Sequence, residues 1–148
     1  MSDPTKYEEF LEQNGTMTHF FRGTSMMPLL RQKKDHFTVR AKGSERCQKY
    51  DVVLYRRPPD KYVLHRVIEV RPNDYVIRGD NCVAKEYGIT DSDIIGVMTG
   101  FLRAGREHSV NEPAYRLYSR VWVAIAPVRI VFMRLRRFLG RIKRKIIH

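Results

Sequence analysis

Tyr62-Val63-Leu64-His65-Arg66-Val67-Ile68-Glu69-Val70 is rich in β-branched residues and reads as a strand. On a strand, Val63, His65, Val67 and Glu69 share one face, and Leu64, Arg66 and Ile68 share the other. Comparable runs lie on either side, at 36–40, 51–55, 74–78 and 94–102. Turn signals separate them: Arg57-Pro58-Pro59-Asp60, Arg71-Pro72-Asn73-Asp74 and Gly79-Asp80-Asn81. Short strands at even spacing with tight turns predict a mainly β, antiparallel domain rather than an α/β sheet.

Helical patterns flank these strands. Residues 3–13 predict a short amphipathic helix, with Ser2 or Asp3 as cap and Pro4 in the first turn. Thr5 and Glu8 have capping-box spacing, Tyr7, Phe10 and Leu11 fall at i, i+3, i+4, and Gly15 ends the pattern. After Glu112-Pro113 the helical period returns, predicting helices over 115–126 and 128–147 broken at Pro127.

The 148 residues fit one domain of ordinary size with an appended element, and 43% hydrophobic content argues against a disordered chain. The net charge of +12 is unevenly placed. Residues 1–112 carry 18 basic and 16 acidic side chains, whereas 113–148 carry 10 basic and none acidic. The expected organisation is a nearly neutral body, 1–112, and a cationic amphipathic tail, 113–148. In the tail, Arg and Lys alternate with Trp122, Val128, Phe132, Leu135, Phe138, Leu139 and Ile142, a pattern suited to an anionic membrane surface or to packing on a partner. Nucleic acid ranks third, because the tail holds no recognisable nucleic-acid module. The longest uncharged run there, Val121–Val128, is far short of the ~20 residues that span a bilayer.

Cys47 and Cys82 sit in no CxxC or Cys/His cluster, so neither a disulfide framework nor a zinc site is expected. The acidic N-terminus has no apolar h-region and reads as neither signal peptide nor anchor. A peripheral position on the cytoplasmic face of a membrane is the resulting expectation.

Two stretches carry chemistry. Phe21-Arg22-Gly23-Thr24-Ser25-Met26-Met27-Pro28-Leu29 presents a Ser hydroxyl on a sharp turn beside apolar residues, and His65 interrupts an apolar strand 40 residues later. Taken singly, Ser25 reads as a turn residue and His65 as a satisfied core histidine. In order with Tyr50-Asp51-Val52-Val53-Leu54-Tyr55, Ile77-Arg78-Gly79-Asp80-Asn81 and Ile95-Gly96-Val97, they resemble type I signal peptidases and their SOS-repressor relatives over about 20–102. His65 resembles the archaeal, endoplasmic-reticulum and SipW-like branch, whose members use Ser and His with an acidic helper.

The resemblance implies a β-rich serine endopeptidase that binds its substrate as an added strand and uses no cofactor or metal. Ser25 is the implied nucleophile, its backbone N–H the oxyanion donor, and His65 the base. Gly23 stands where relatives often supply a second, hydroxyl donor. Asp80 matches the family's Gly-Asp-Asn element and is the implied partner of His65. Glu86 is the alternative acid, with Asp91 and Asp93 behind it. Met26, Met27, Leu29 and Leu30 are read as lining the scissile-bond surface, touching lipid or packing in the core. The implied substrates are signal- or leader-like segments cut after small residues. A catalytically idle peptide-binding relative is the alternative.

Overall fold

The structure, a computed structural model, describes residues 4–59 and 61–147. In chain order its elements are α1 (Pro4–Asn14), β1 (Thr16–Phe20), β2 (His36–Ala41), β3 (Val52–Arg57), β4 (Lys61–Val70), β5 (Tyr75–Arg78), β6 (Glu86–Ile89), β7 (Ile94–Arg103), β8 (Arg106–Ser109), α2 (Pro113–Ala124) and α3 (Ala126–Ile147). The sheet is antiparallel, in the order β1-β2-β7-β3-β4-β5-β6, with β8 paired to β7. The five expected strands therefore all form, within two residues of the expected limits. The expected caps Ser2 and Asp3, the side chain of Thr5 and the turn residue Asp60 lie outside the described residues.

Alternation along the central strands gives the sheet two apolar faces. Val52, Leu54, Leu64, Val39, Met98 and Phe101 pack on one face, covered by Leu11 of α1, by Phe21, Met26, Leu29 and Leu30 of the β1–β2 connection, and by Tyr115 of α2. Val53, Tyr55, Val67, Ile77, Ile94 and Val97 form the other core, joined by Cys47 and Tyr75. A bulge between Val67 and Glu69 then breaks the alternation of β4, leaving Glu69 and Val70 exposed.

The helical break falls at Ile125, two residues before its expected place. Ile125 leaves helical geometry at φ −86°, ψ 4°, and Pro127 lies inside the first turn of α3. A proline ring is pre-set for that turn, where its missing N–H has no intrahelical partner to lose. α2, on the far side of Glu112, packs on the body. Tyr115 and Ser119 of α2 are buried on the body, and Ala126 at the start of α3 is buried too. The element that stands away from the body is the remainder of α3, whose apolar residues from Val128 to Ile147 are largely exposed. No helix among the described residues is long and apolar enough to cross a membrane.

Candidate active site

Ser25 is half-buried in the connection between β1 and β2, a segment held closed at its base by a buried carboxylate. Asp35 accepts hydrogen bonds from the Arg31 backbone N–H and guanidinium and from Ala104 N–H. Burial opposes its charge, but these donors outweigh the penalty and hold its pKa at about 2. At the other end Gly23 has φ 87°, a left-handed conformation that costs glycine little. Between them Met26, Leu29 and Leu30 point into the core, while Met27 is partly exposed. Core packing thus accounts for three of the four apolar residues expected near the scissile bond.

The turn after β5 meets this segment directly. Asn81 N–H donates to the Ser25 carbonyl at 2.8 Å, and Asn81 Nδ2 donates to the Thr24 carbonyl at 3.0 Å. Gly79 makes the close approach possible. A Cβ there would lie 2.7 Å from Ser25 O, 2.8 Å from Cys82 Sγ and 2.9 Å from His65 Nε2. The Ser25 backbone carbonyl and the His65 ring, distant in sequence, therefore both approach one glycine. Among the described residues there is no hydrogen bond between the Ser25 hydroxyl and His65; such contacts are often long until substrate is bound.

His65 is 6% exposed on the same face of the sheet as Val53 and Tyr55. Its Nδ1 lies 3.3 Å from the Tyr55 hydroxyl and 3.8 Å from Glu86 Oε1 on β6. The second distance is too long for a hydrogen bond, so Glu86 acts on the ring through its charge. Glu86 is in turn ion-paired with Arg57, which also reaches the Tyr55 hydroxyl at 3.4 Å. Burial drives the His65 pKa down to about 4, with Arg57 adding to the fall, against the pull first of Glu86 and then of Asp80. The imidazole is neutral at pH 7, the form a general base requires. Burial raises the Tyr55 hydroxyl pKa, reinforced by Glu86, so Tyr55 keeps its proton.

Asp80 acts on His65 through its charge alone, because its oxygens are taken by other partners. Its carboxylate is 3% exposed and takes a bidentate pair from Arg66, Nε to Oδ1 at 2.8 Å and NH2 to Oδ2 at 2.9 Å, plus the Tyr118 hydroxyl at 2.8 Å. Arg66 has no exposed surface, and a buried guanidinium demands a carboxylate far more than a neutral imidazole does. Its remaining nitrogen donates to Tyr50 O, Tyr115 Oη and Ser119 Oγ. Trp122 Nε1 and Arg129 both donate to the Asp80 carbonyl. The Gly79-Asp80-Asn81 turn is thus clamped between Arg66 of β4 and the α2–α3 junction. Of the two carboxylates expected near His65, Glu86 is the one that faces its Nδ1.

No protein-family model and no curated protein matches this chain.

Burial raises the Cys47 thiol pKa to about 11, and burial raises that of Cys82 as well. Asp91 pairs with Lys42, Arg46 and the Tyr75 hydroxyl, and Asp93 binds Thr90, so both carboxylates belong to a surface loop. No group of three or more His, Cys, Asp or Glu among the described residues could hold a metal ion. Tyr55, Arg57, Gly79 and the α2 anchors were not singled out from sequence. Arg66 carried a readable signal, since a guanidinium inside an apolar strand implies a buried acid nearby.

Proposed function

We propose that the chain is a Ser/His endopeptidase of the signal-peptidase type, cutting extended signal- or leader-like segments after small residues. The observation that carries the reading is the neutral His65, with Nε2 against the Ser25–Gly79 contact and Nδ1 toward Tyr55 and Glu86. In the proposed reaction Nε2 takes the Ser25 proton as Oγ attacks the scissile carbonyl carbon. Nδ1–H is held by the Tyr55 oxygen, and the Glu86 charge stabilises the imidazolium that forms. The Ser25 N–H receives the oxyanion. The same proton passes to the leaving amine, giving an acyl-enzyme that water, deprotonated by His65, hydrolyses. Asp80 is a positioning residue: through Arg66 and α2 it fixes the turn whose Asn81 holds Ser25.

The proposed setting is an anionic membrane surface bound by α3. Val128, Phe132, Leu135, Leu139, Ile142 and Ile146 of α3 recur every three or four residues, and all are exposed, as are Leu117 and Val121 of α2. Such a stripe with basic margins suits the headgroup boundary.

Cleavage of peptides bearing Ala-x-Ala is the test, comparing wild type with Ser25→Ala and His65→Ala. Cleavage by wild type alone is expected, and equal cleavage by all three would sink the assignment. The missing Ser25–His65 hydrogen bond favours a second reading, an idle peptide-binding module. Peptide binding by the wild type without turnover identifies it.

A further inference from the structure

The two faces of α3 differ in what they meet. Arg137, Gly140 and Arg144 recur at helical spacing on the face about half a turn from the Phe132–Leu135–Leu139–Ile142 stripe. With Arg136 and Arg141 they line one side of an open groove of about 570 Å³, and Asn81 lies across it. No lining residue is acidic. Among the described residues none of the four guanidinium groups is ion-paired. Arg144 Nε reaches only the Gly140 carbonyl, at 3.3 Å.

Two facts choose the occupant. The groove turns away from the apolar stripe, so lipid beneath that stripe is out of reach of Arg137 and Arg144. Headgroups are served instead by Arg134 and Lys145, which align with Val131 and Phe138 along one margin of the stripe, and by Lys143 along the other. The far wall, Asn81, is the residue that bonds the Thr24 and Ser25 carbonyls, so whatever fills the groove touches the residue that holds Ser25. Unpaired guanidinium groups there match carboxylates, which they bind in bidentate fashion.

We infer that the groove between α3 and the Asn81 turn receives an acidic segment of the peptide substrate, flanking the bond that Ser25 attacks. The inference rests on the peptidase reading and narrows its substrates to those with Asp or Glu beside the small-residue cleavage site.

The test uses the full chain carrying Ser25→Ala, so that peptide is bound without being consumed. Two fluorescent peptides share an Ala-x-Ala core and differ in an acidic or an amide (Asn/Gln) flank, and anisotropy is read at low ionic strength without lipid. The acidic peptide is expected to bind about tenfold tighter, or about 1.4 kcal/mol. That ratio should collapse toward one in Arg137→Glu/Arg144→Glu and in Arg137→Gln/Arg144→Gln, and persist in Arg134→Glu/Lys145→Glu. Equal affinities in the parent chain, or a ratio that falls alike in every variant, overturn the inference. Binding of anionic vesicles or duplex DNA through Arg137 and Arg144, with no preference for the acidic peptide, overturns it also. Cleavage by the Ser25-bearing chain is scored separately. Intact discrimination without cleavage supports the groove and removes the peptidase reading.

Discussion

Replacing Gly79 by Ala adds one methyl group at the point where Ser25 and His65 converge. The backbone at 79 lies outside the left-handed region, so alanine is disfavoured there by space alone. All three contacts, to Ser25 O at 2.7 Å, Cys82 Sγ at 2.8 Å and His65 Nε2 at 2.9 Å, are shorter than real Cβ contacts. One is backbone and one is a buried ring, so neither yields by a simple side-chain rotation. Relief requires Ser25 and His65 to move apart by several tenths of an ångström. A misplacement approaching 1 Å can cost about 10²-fold in rate, so kcat on an Ala-x-Ala peptide should fall by about ten- to a hundredfold. Overpacking of this kind costs about 1–3 kcal/mol, lowering Tm by about 2–10 °C for a chain of this size. The folded variant should also show a His65 imidazole NMR titration displaced from wild type. The double variant Gly79→Ala/Cys82→Ala relieves only the thiol contact and should recover stability in part but little rate. Wild-type kcat in Gly79→Ala, or full recovery in the double variant, would refute the claim that this glycine sets the Ser25–His65 spacing.

The two carboxylates should fail differently. Asp80→Ala strands the Arg66 charge in the interior and should cost about 3–5 kcal/mol by chemical denaturation, whereas Glu86→Gln should unfold near wild type yet lose about tenfold or more in kcat. Comparable stability losses in both would reverse these assignments. For pH, the base must be neutral, so kcat/KM should rise through about pH 4 and be level by pH 6; an acid limb near the ordinary histidine value contradicts the burial of His65. Folding follows the same proton. The His65 pKa is lowered on folding, so its stabilising contribution is intact above about pH 6.5 and is lost as pH falls toward about 4, by on the order of 3 kcal/mol. Denaturation of wild type and His65→Gln across that window should show the slope only in the former. Finally, truncation after Arg129 keeps every contact of Arg66 and Asp80 and should leave a folded body that no longer sediments with anionic vesicles. Continued sedimentation would remove the membrane role of α3.

The strands that were legible are those with two apolar faces to fill. β3, β4 and β5 adjoin one another, and Val52, Val53, Val67, Val76 and Ile77 on them are buried on one face or the other. The three strands not foreseen, β1, β6 and β8, are short and polar. Only Met17 is buried in β1, and no residue is buried in β6 or β8. Such strands form because a neighbour offers unpaired backbone groups, a property their own residues do not encode. Glu86 was named from its spacing after Asp80, but its position beside His65 depends on β6 pairing with β5, where it sits opposite Ile77. Ser25 and His65 were each named from sequence. Their meeting point was not, since it depends on an atom that Gly79 lacks.

The same accounting explains why α2 belongs to the body and the rest of α3 does not. A buried arginine sets a fixed demand: five donors must find acceptors. Asp80 accepts from Nε and one terminal nitrogen, and the Tyr50 carbonyl and two hydroxyls of α2 accept from the other. Tyr115 and Ser119, at i and i+4, therefore face inward, and Tyr118 and Trp122 follow on the same side at i+3 and i+7. With that face committed, helical geometry turns Leu117 and Val121 outward, at 65% and 45% exposure. The outward face of α2 is thus set by the contacts of a single guanidinium. Loss of Arg66 should release the helices and the site together: in Arg66→Ala, vesicle binding would persist while Asn81 loses its hold on Ser25. Cleavage at the wild-type rate in that variant, with α2 released from the body, would break the link between the clamp and the Ser25 turn.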